Sequence, residues 1–138
     1  MIFVGKSPYR ISLLGGGTDL DWFTKDNSFG LSLGYSLDMH SYTVINKLPI
    51  TSKYGILNYS SREIYQTNEE IVHPLIREAF KIVDLDILLE LSSYGSASNG
   101  SGLGGSSSFL VSLLGALSKL LNISWSNNKI AEKASEVE

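Results

Sequence analysis

The chain has 138 residues, 43% of them hydrophobic and 18% charged, with a formal net charge of −3. That length suits one domain with a modest core, and the composition suits a globular protein of mixed α and β structure. The acidic balance argues against nucleic acid or an anionic membrane as partner, and the absence of cysteine excludes disulfides, thiolate metal sites and a cysteine nucleophile, as fits a reducing compartment.

In chain order, "IFV" (2–4) and "RISLL" (10–14) suggest short strands split by Lys6-Ser7-Pro8, and "GGGTDLDW" (15–22) a loop. The β-branched and alternating runs 30–37 and 42–48 suggest two more strands. "YGILNY" and "REIYQT" suggest a hairpin turning at Ser60-Ser61. Pro74 suits the first position of a helix over 74–83, with His73 helping to start it and Leu75, Ala79 and Ile82 on one face. "DILLELS" (86–92) has the composition of a buried strand. Leu110, Leu113, Leu114, Leu117 and Leu121 recur at helical spacing as a core stripe. Ser124 or Ser126 could cap a last helix running to Glu136. The longest apolar stretch, 109–121, is too short to span a bilayer and contains Lys119. No signal peptide and no internal repeat is visible. Strands come first and most helix later, so the expected class is α+β, a mixed sheet packed on helices, in one domain over 1–138.

Thirteen of the seventeen residues from 92 to 108 are Gly or Ser. Composition alone would allow a flexible linker. Yet one end is a strand, the other an amphipathic helix, and Leu103 sits in the middle like an anchor. Glycines let backbone N–H groups approach an oxyanion, and the first turn of the next helix adds unpaired N–H groups and the positive dipole end. Ser106, Ser107 and Ser108 fall in that turn, where a hydroxyl can meet a phosphate oxygen or Mg²⁺. A Walker A loop is excluded, because "GKS" at 5–7 lacks its upstream glycine and runs into Pro8. Gly100, Gly102 and Gly105 spell GxGxxG, but a dinucleotide fold needs an acidic residue about 20 positions on. No Asp or Glu occurs between Glu90 and Glu132. The protein-kinase glycine loop joins two strands, whereas this one opens a helix.

"SNGSGLGGSSSF" resembles the nucleotide loop PxxxGLGSSAA of the GHMP kinases, matching at Gly102, Leu103, Gly104 and Ser106. Ser98 stands for the family proline, and Gly105 for the first serine of its pair. Upstream, "SPYRISLLGGGTDLDWF" (7–23) resembles the first GHMP motif at Pro8, Arg10, Leu13, Gly15, Thr18 and Asp19. Gly16 and Gly17 replace the Glu-His pair of galactokinases. This GGGTD form, with "HPLIREAFK" (73–81), is similar to the subgroup acting on D-glycero-D-manno-heptose 7-phosphate.

The resemblance implies a GHMP-kinase N-terminal domain of the ribosomal protein S5 domain 2-like fold. It implies a cytoplasmic, ATP- and Mg²⁺-dependent sugar kinase that phosphorylates the anomeric hydroxyl of heptose 7-phosphate to the 1,7-bisphosphate. On that reading Gly100, Ser101, Gly102, Leu103, Gly104, Gly105, Ser106 and Ser107 hold the nucleotide. Gly16, Gly17, Thr18 and Asp19 face the sugar, Arg10 assists catalysis, and Ser106 with Glu138 holds the metal, Glu136 being the fallback. Plainer readings stand beside these: Asp19 as a turn cap, Arg10 as a solvated strand end, Glu132, Glu136 and Glu138 as a solvated face. Trp22 and Phe23 suit core packing better than a sugar site, and two isolated histidines do not make a transition-metal site. Rival functions are another GHMP sugar 1-kinase such as a fucose kinase, a non-catalytic binding module, and a Rossmann dehydrogenase. The chain stops inside the helical pattern "KIAEKASEVE". The expectation is therefore an N-terminal piece of a protein roughly two to three times longer, with the catalytic aspartate beyond residue 138. Such a piece would be inactive alone and would expose apolar surface through which it could pair into a homodimer.

Overall fold

The structure, a computed structural model, describes every residue except Asp19, Ser28 and Asn99, and only the backbone of Asp21. Five strands form one mixed sheet: β1 (Ile2–Leu14), β2 (Leu33–Lys47), β3 (Gly55–Asn58), β4 (Arg62–Tyr65) and β5 (Leu89–Gly95). Their spatial order is β1-β2-β5-β3-β4. All pairings are antiparallel except that of β3 with β5. Helix α1 (Asp21–Asp26) follows β1. Helices α2 (Pro74–Ile82), α3 (Gly105–Leu120) and α4 (Asn127–Val137) pack together as a second layer, with α3 laid over β1 and β2. Among the described residues no helix is long and apolar enough to cross a membrane.

The core lies between the layers. Ile45, Leu57, Leu89 and Leu91 of the sheet meet Ile76 and Phe80 of α2 and Leu110, Leu113, Leu114 and Leu117 of α3, all fully buried. Each such side chain contributes about 1.5–3 kcal/mol by leaving water. The approach of α3 to β1 depends on Gly5: a Cβ there would stand 1.7 Å from the Ser112 carbonyl oxygen. Beside it the Thr43 and Ser112 hydroxyls share a buried hydrogen bond of 2.7 Å. The opposite sheet face is open, and Ile2, Val4, Ile64 and Tyr94 are exposed on it.

The two-layer α+β class and the hairpin match the sequence reading, and several boundaries do not. β1 runs unbroken through Lys6-Ser7-Pro8, because β1 is an edge strand, where a residue without an N–H is tolerated. The ladder registers the proline as an irregularity between Pro8 and Arg10. The two strands expected at 30–37 and 42–48 are one strand, β2, which absorbs that irregularity on its own side. β5 starts later than the expected 86–92 and extends through Ser92, Ser93 and Gly95, since β2 supplies a pairing partner whatever the composition. α1 begins inside the loop expected at 15–22 and runs over residues to which no element was assigned; six residues are too few to show a helical period. In α2 the buried face is Ile76, Ala79 and Phe80, not Leu75 and Ile82, which are half-buried. The cap of α4 is Ser126, whose hydroxyl accepts from the Lys129 N–H at 3.2 Å.

Candidate functional site

The Gly-Ser run is a strand end, a loop and a helix start. β5 ends at Gly95 and α3 begins at Gly105. Between them Gly100, Gly102 and Gly104 adopt φ of 76°, 73° and 68°, a region closed to most side chains. Gly104 is the N-cap of α3 and supplies no capping side chain. The first N–H groups of this 16-residue helix are therefore left for an outside acceptor. The loop is pinned where Leu103 suggested, though through its carbonyl, which accepts from the Arg10 N–H at 3.0 Å.

Arg10 lies along Gly104 and donates from Nη1 to the Ser12 hydroxyl at 2.9 Å. Of the eight loop residues marked for the nucleotide, all but Leu103 line one cleft of about 930 Å³, as do Arg10 and Glu138. The Glu138 carboxylate accepts from the Ser106 hydroxyl, and from the Ser107 hydroxyl at 2.7 Å. Glu136 is engaged elsewhere, with Lys133 at 2.6 Å. Ser108 does not face the cleft: its hydroxyl donates to the Pro8 carbonyl at 2.7 Å and ties α3 to β1.

Another part of the cleft wall is formed by Tyr59, His73, Leu75 and Phe109. His73 and Leu75 fall in the 73–81 string and Phe109 ends the glycine-loop string, so Tyr59 alone lies outside every motif. Glu63 of β4 organises it, though it does not line the cleft. Its carboxylate accepts from the Tyr59 hydroxyl, from the Val72 N–H at 2.7 Å and from the His73 N–H at 3.1 Å. His73 does start α2, as expected: its Nδ1 accepts from the Ile76 N–H at 3.4 Å. The His73 ring also meets Tyr59 edge-on at 4.7 Å and Phe109 at 5.7 Å between centroids.

These bonds set the titration. The hydrogen bond to Glu63, then burial, pushes the Tyr59 phenol up to about 12. Burial pushes the Glu63 carboxyl up, but the Tyr59, Val72 and His73 donors outweigh it and hold it below the usual range. Burial lowers His73 against the opposing pull of Glu63, so a neutral ring with its proton on Nε2 is favoured. The sequence signals for this wall were the 73–81 string, with His73 ahead of Pro74, and Phe109 at the end of the glycine-loop string; nothing marked Tyr59 or Glu63.

The first motif is divided: its Arg10 lines this cleft, while its glycine turn lies elsewhere. Gly15 and Gly17 take φ of 74° and 89°. The Thr18 hydroxyl donates its one proton to the Gly15 carbonyl at 2.8 Å, with the Leu31 carbonyl a second acceptor at 3.2 Å, so it holds the turn closed. Thr18 lines a second cavity of about 530 Å³ with Phe23, Asp26, Asn27, Phe29 and Leu31, which shares no described residue with the first. Gly16 and Gly17 line neither, and Asp19 lies outside the described residues. Trp22 is 65% exposed and stacks edge-on against Phe23, contrary to the expected core role, because α1 contributes nothing to the core between the layers.

Chemically the first cleft offers backbone N–H groups and hydroxyls for an oxyanion. It offers one carboxylate with two hydroxyls beside it for a hard cation, and an aromatic wall for a flat ring. Among the described residues no three His, Asp or Glu converge. A cation here would take one carboxylate from this chain and its remaining ligands from hydroxyls, water and a bound anion.

Residues 66–138 match the family model described as the GHMP kinases N terminal domain. The chain is 28% identical to a D-glycero-alpha-D-manno-heptose 7-phosphate kinase of Campylobacter jejuni, over 96% of this chain and 42% of that protein. All of it superposes on 48% of a D-glycero-D-manno-heptose 1-phosphate kinase from Bacteriodes thetaiotaomicron, with TM-score 0.86 and 24% identity. The galactokinase of Lactococcus lactis, solved with galactose, gives TM-score 0.73 at 19% identity over 99% of this chain and 37% of that one. The chain thus spans less than half the length of these relatives.

Proposed function

Because this chain belongs to the GHMP kinases, as an example of their N-terminal domain, we propose that it is the nucleotide-holding part of an ATP-dependent sugar kinase. Its acceptor is the anomeric hydroxyl of D-glycero-D-manno-heptose 7-phosphate, the substrate named for the Campylobacter relative, and the product is the 1,7-bisphosphate. The reaction belongs in the cytoplasm, with the sugar lodged near 16–19. The observation that supports this best is the uncapped start of α3, with three positive-φ glycines before it and Ser106, Ser107 and Glu138 in one cleft.

The donor set fits ATP with Mg²⁺, a cation that prefers one or two carboxylates plus phosphate oxygens and water. Bound here, ATP would supply the γ-phosphoryl group and Mg²⁺ would offset its negative charge. The loop N–H groups of 100–107 hold phosphate oxygens. Ser106 and Glu138 hold the metal, and the Arg10 guanidinium offsets negative charge at the same end. Tyr59, His73 and Phe109 give the base a wall. Phosphoryl transfer of this kind is positioning and charge stabilisation, which such residues supply. The acceptor hydroxyl also needs a carboxylate partner, which we place beyond residue 138; the 138 residues alone would turn over no sugar.

An ADP-release assay on the full-length protein with a panel of sugar phosphates and free sugars tests this. Heptose 7-phosphate should give the highest kcat/KM, and Ser106→Ala should lower turnover at least a hundredfold with the melting temperature unchanged. Near-native turnover in that variant would remove the metal and phosphate assignment. A preference for fucose would redirect the acceptor assignment, and ligand binding without turnover on any sugar would make the protein a binding module.

A further inference from the structure

The floor of the cleft carries two hydroxyls that the kinase reading does not use. Tyr9 of β1 is 5% exposed and Ser41 of β2 is 3% exposed, and both line the cleft. Among the described residues neither hydroxyl has a hydrogen-bond partner. Yet among the described residues no polar side-chain atom sealed from solvent is left without one. The two facts agree if both hydroxyls open into the cleft. Of the buried hydroxyls around them, Thr43 and Ser112 bond each other and Ser108 bonds the Pro8 carbonyl; Ser7, across the ladder from Ser41, is likewise without a bond among the described residues but does not line the cleft.

Both groups sit beside Gly95. Ser41 is its cross-strand partner in the β2–β5 ladder. The Tyr9 hydroxyl would stand 2.3 Å from a Cβ at Gly95, so glycine there is what gives the phenol its place. The Tyr9 ring also reaches 3.9 Å from a Cβ built on Gly105, the first residue of α3. The floor therefore joins the end of β5 to the uncapped helix start. Near-burial of a hydroxyl without a partner is unfavourable in the free protein and is relieved when a ligand supplies an acceptor. The positive end of α3 selects an anionic acceptor for these two donors.

We propose that the Tyr9 and Ser41 hydroxyls are further phosphate-binding groups, donating hydrogen bonds to the anion held at the start of α3. This rests on the reading of the cleft as a nucleotide site. It assigns the cleft two donors outside the glycine loop, and it assigns Gly95 the role of making room for one of them.

Tyr9→Phe and Ser41→Ala remove the hydroxyls and little else. The full-length protein and both variants are compared by thermal melting and by calorimetry with inorganic tripolyphosphate and with adenosine. Each variant should melt at or above the wild-type temperature, since no internal bond is lost. Each should bind tripolyphosphate about fivefold more weakly and adenosine as before. Unchanged tripolyphosphate affinity in both variants would overturn the proposal and leave the hydroxyls to water. So would a lowered melting temperature in both, which would show the hydroxyls bonded within the fold. Wild-type protein that binds neither tripolyphosphate nor ATP would overturn the nucleotide reading as well, so the two failures are distinguishable.

Discussion

The two walls of the cleft are built by opposite means. The glycine wall is backbone: Gly100 and Gly102 face open space where their side chains would be, and its shape comes from positive φ. The aromatic wall is side chain: one carboxylate, Glu63, collects donors from Tyr59, Val72 and His73 and so joins a hairpin to a helix start. A backbone wall presents N–H groups that no pH change removes. A side-chain wall can be broken by one truncation or by protonation. The division suits a ligand with an anionic end and a flat end.

The sharpest way to break this contrast is Gly104→Val. A β-branched residue at φ 68°, with Arg10 Cγ only 3.0 Å from its Cβ, should lose about 3 kcal/mol and roughly 10 °C in melting temperature. Calorimetric or circular-dichroism melts would check this, and a neutral result would mean that the loop is plastic. On the other wall, Glu63→Ala should lose about 2 kcal/mol, the worth of three partly exposed bonds to a carboxylate. It should also bring the Tyr59 phenol from about 12 back toward 10 in an ultraviolet pH titration; Gly104 variants should leave that titration where it is. Gly100→Ala tests the glycine wall at a position with nothing to strike. Its penalty should be conformational alone, about 1 kcal/mol at φ 76°, and a loss equal to that of Gly104→Val would show that the loop is packed.

The smallest effect expected is in the pH profile. His73 takes its proton more reluctantly in the fold than its ordinary 6.5, so the unfolded chain binds protons first. The stability tied to neutral His73 is whole above about pH 6.5 and is lost as the pH falls from there toward the folded value. Protonation also removes the Nδ1 acceptor that caps α2. Glu63, depressed below 4.5, adds a second loss that begins near that pH and grows as the pH falls through its folded value. Melts from pH 7.5 to 5.5 should therefore decline slightly, and His73→Asn, which keeps a capping acceptor, should flatten that decline. A profile that is unaltered in this variant would place the pH response outside the aromatic wall.

Much of the glycine wall was legible because its chemistry is local in sequence. Gly102-Leu103-Gly104 with Ser106 is a contiguous string, the leucine stripe of α3 announces its period, and His73 before Pro74 marks a helix start. The aromatic wall was illegible as a unit because Tyr59, Glu63, His73 and Phe109 come from four segments that share no one motif. Thr18 shows how a local motif can also depend on distant chain: its hydroxyl lies within hydrogen-bond reach of the Gly15 carbonyl in its own turn and of the Leu31 carbonyl thirteen residues on.

By itself the sequence determined the loop and the helix it opens, since glycine conformational freedom, helical periodicity and capping act over a few neighbouring residues. It also determined the α+β class, through the order of its strand and helix patterns. Only the tertiary structure decided that β1 crosses Pro8 unbroken, because that depends on β1 lying at the sheet's edge. It decided that β5 reaches Gly95, because β2 lies alongside. It decided as well that Glu138 reaches Ser106 and Ser107, because α4 packs on α3. In each case a residue's surroundings come from chain distant in sequence, and pairing and packing with that chain outweigh the local preference.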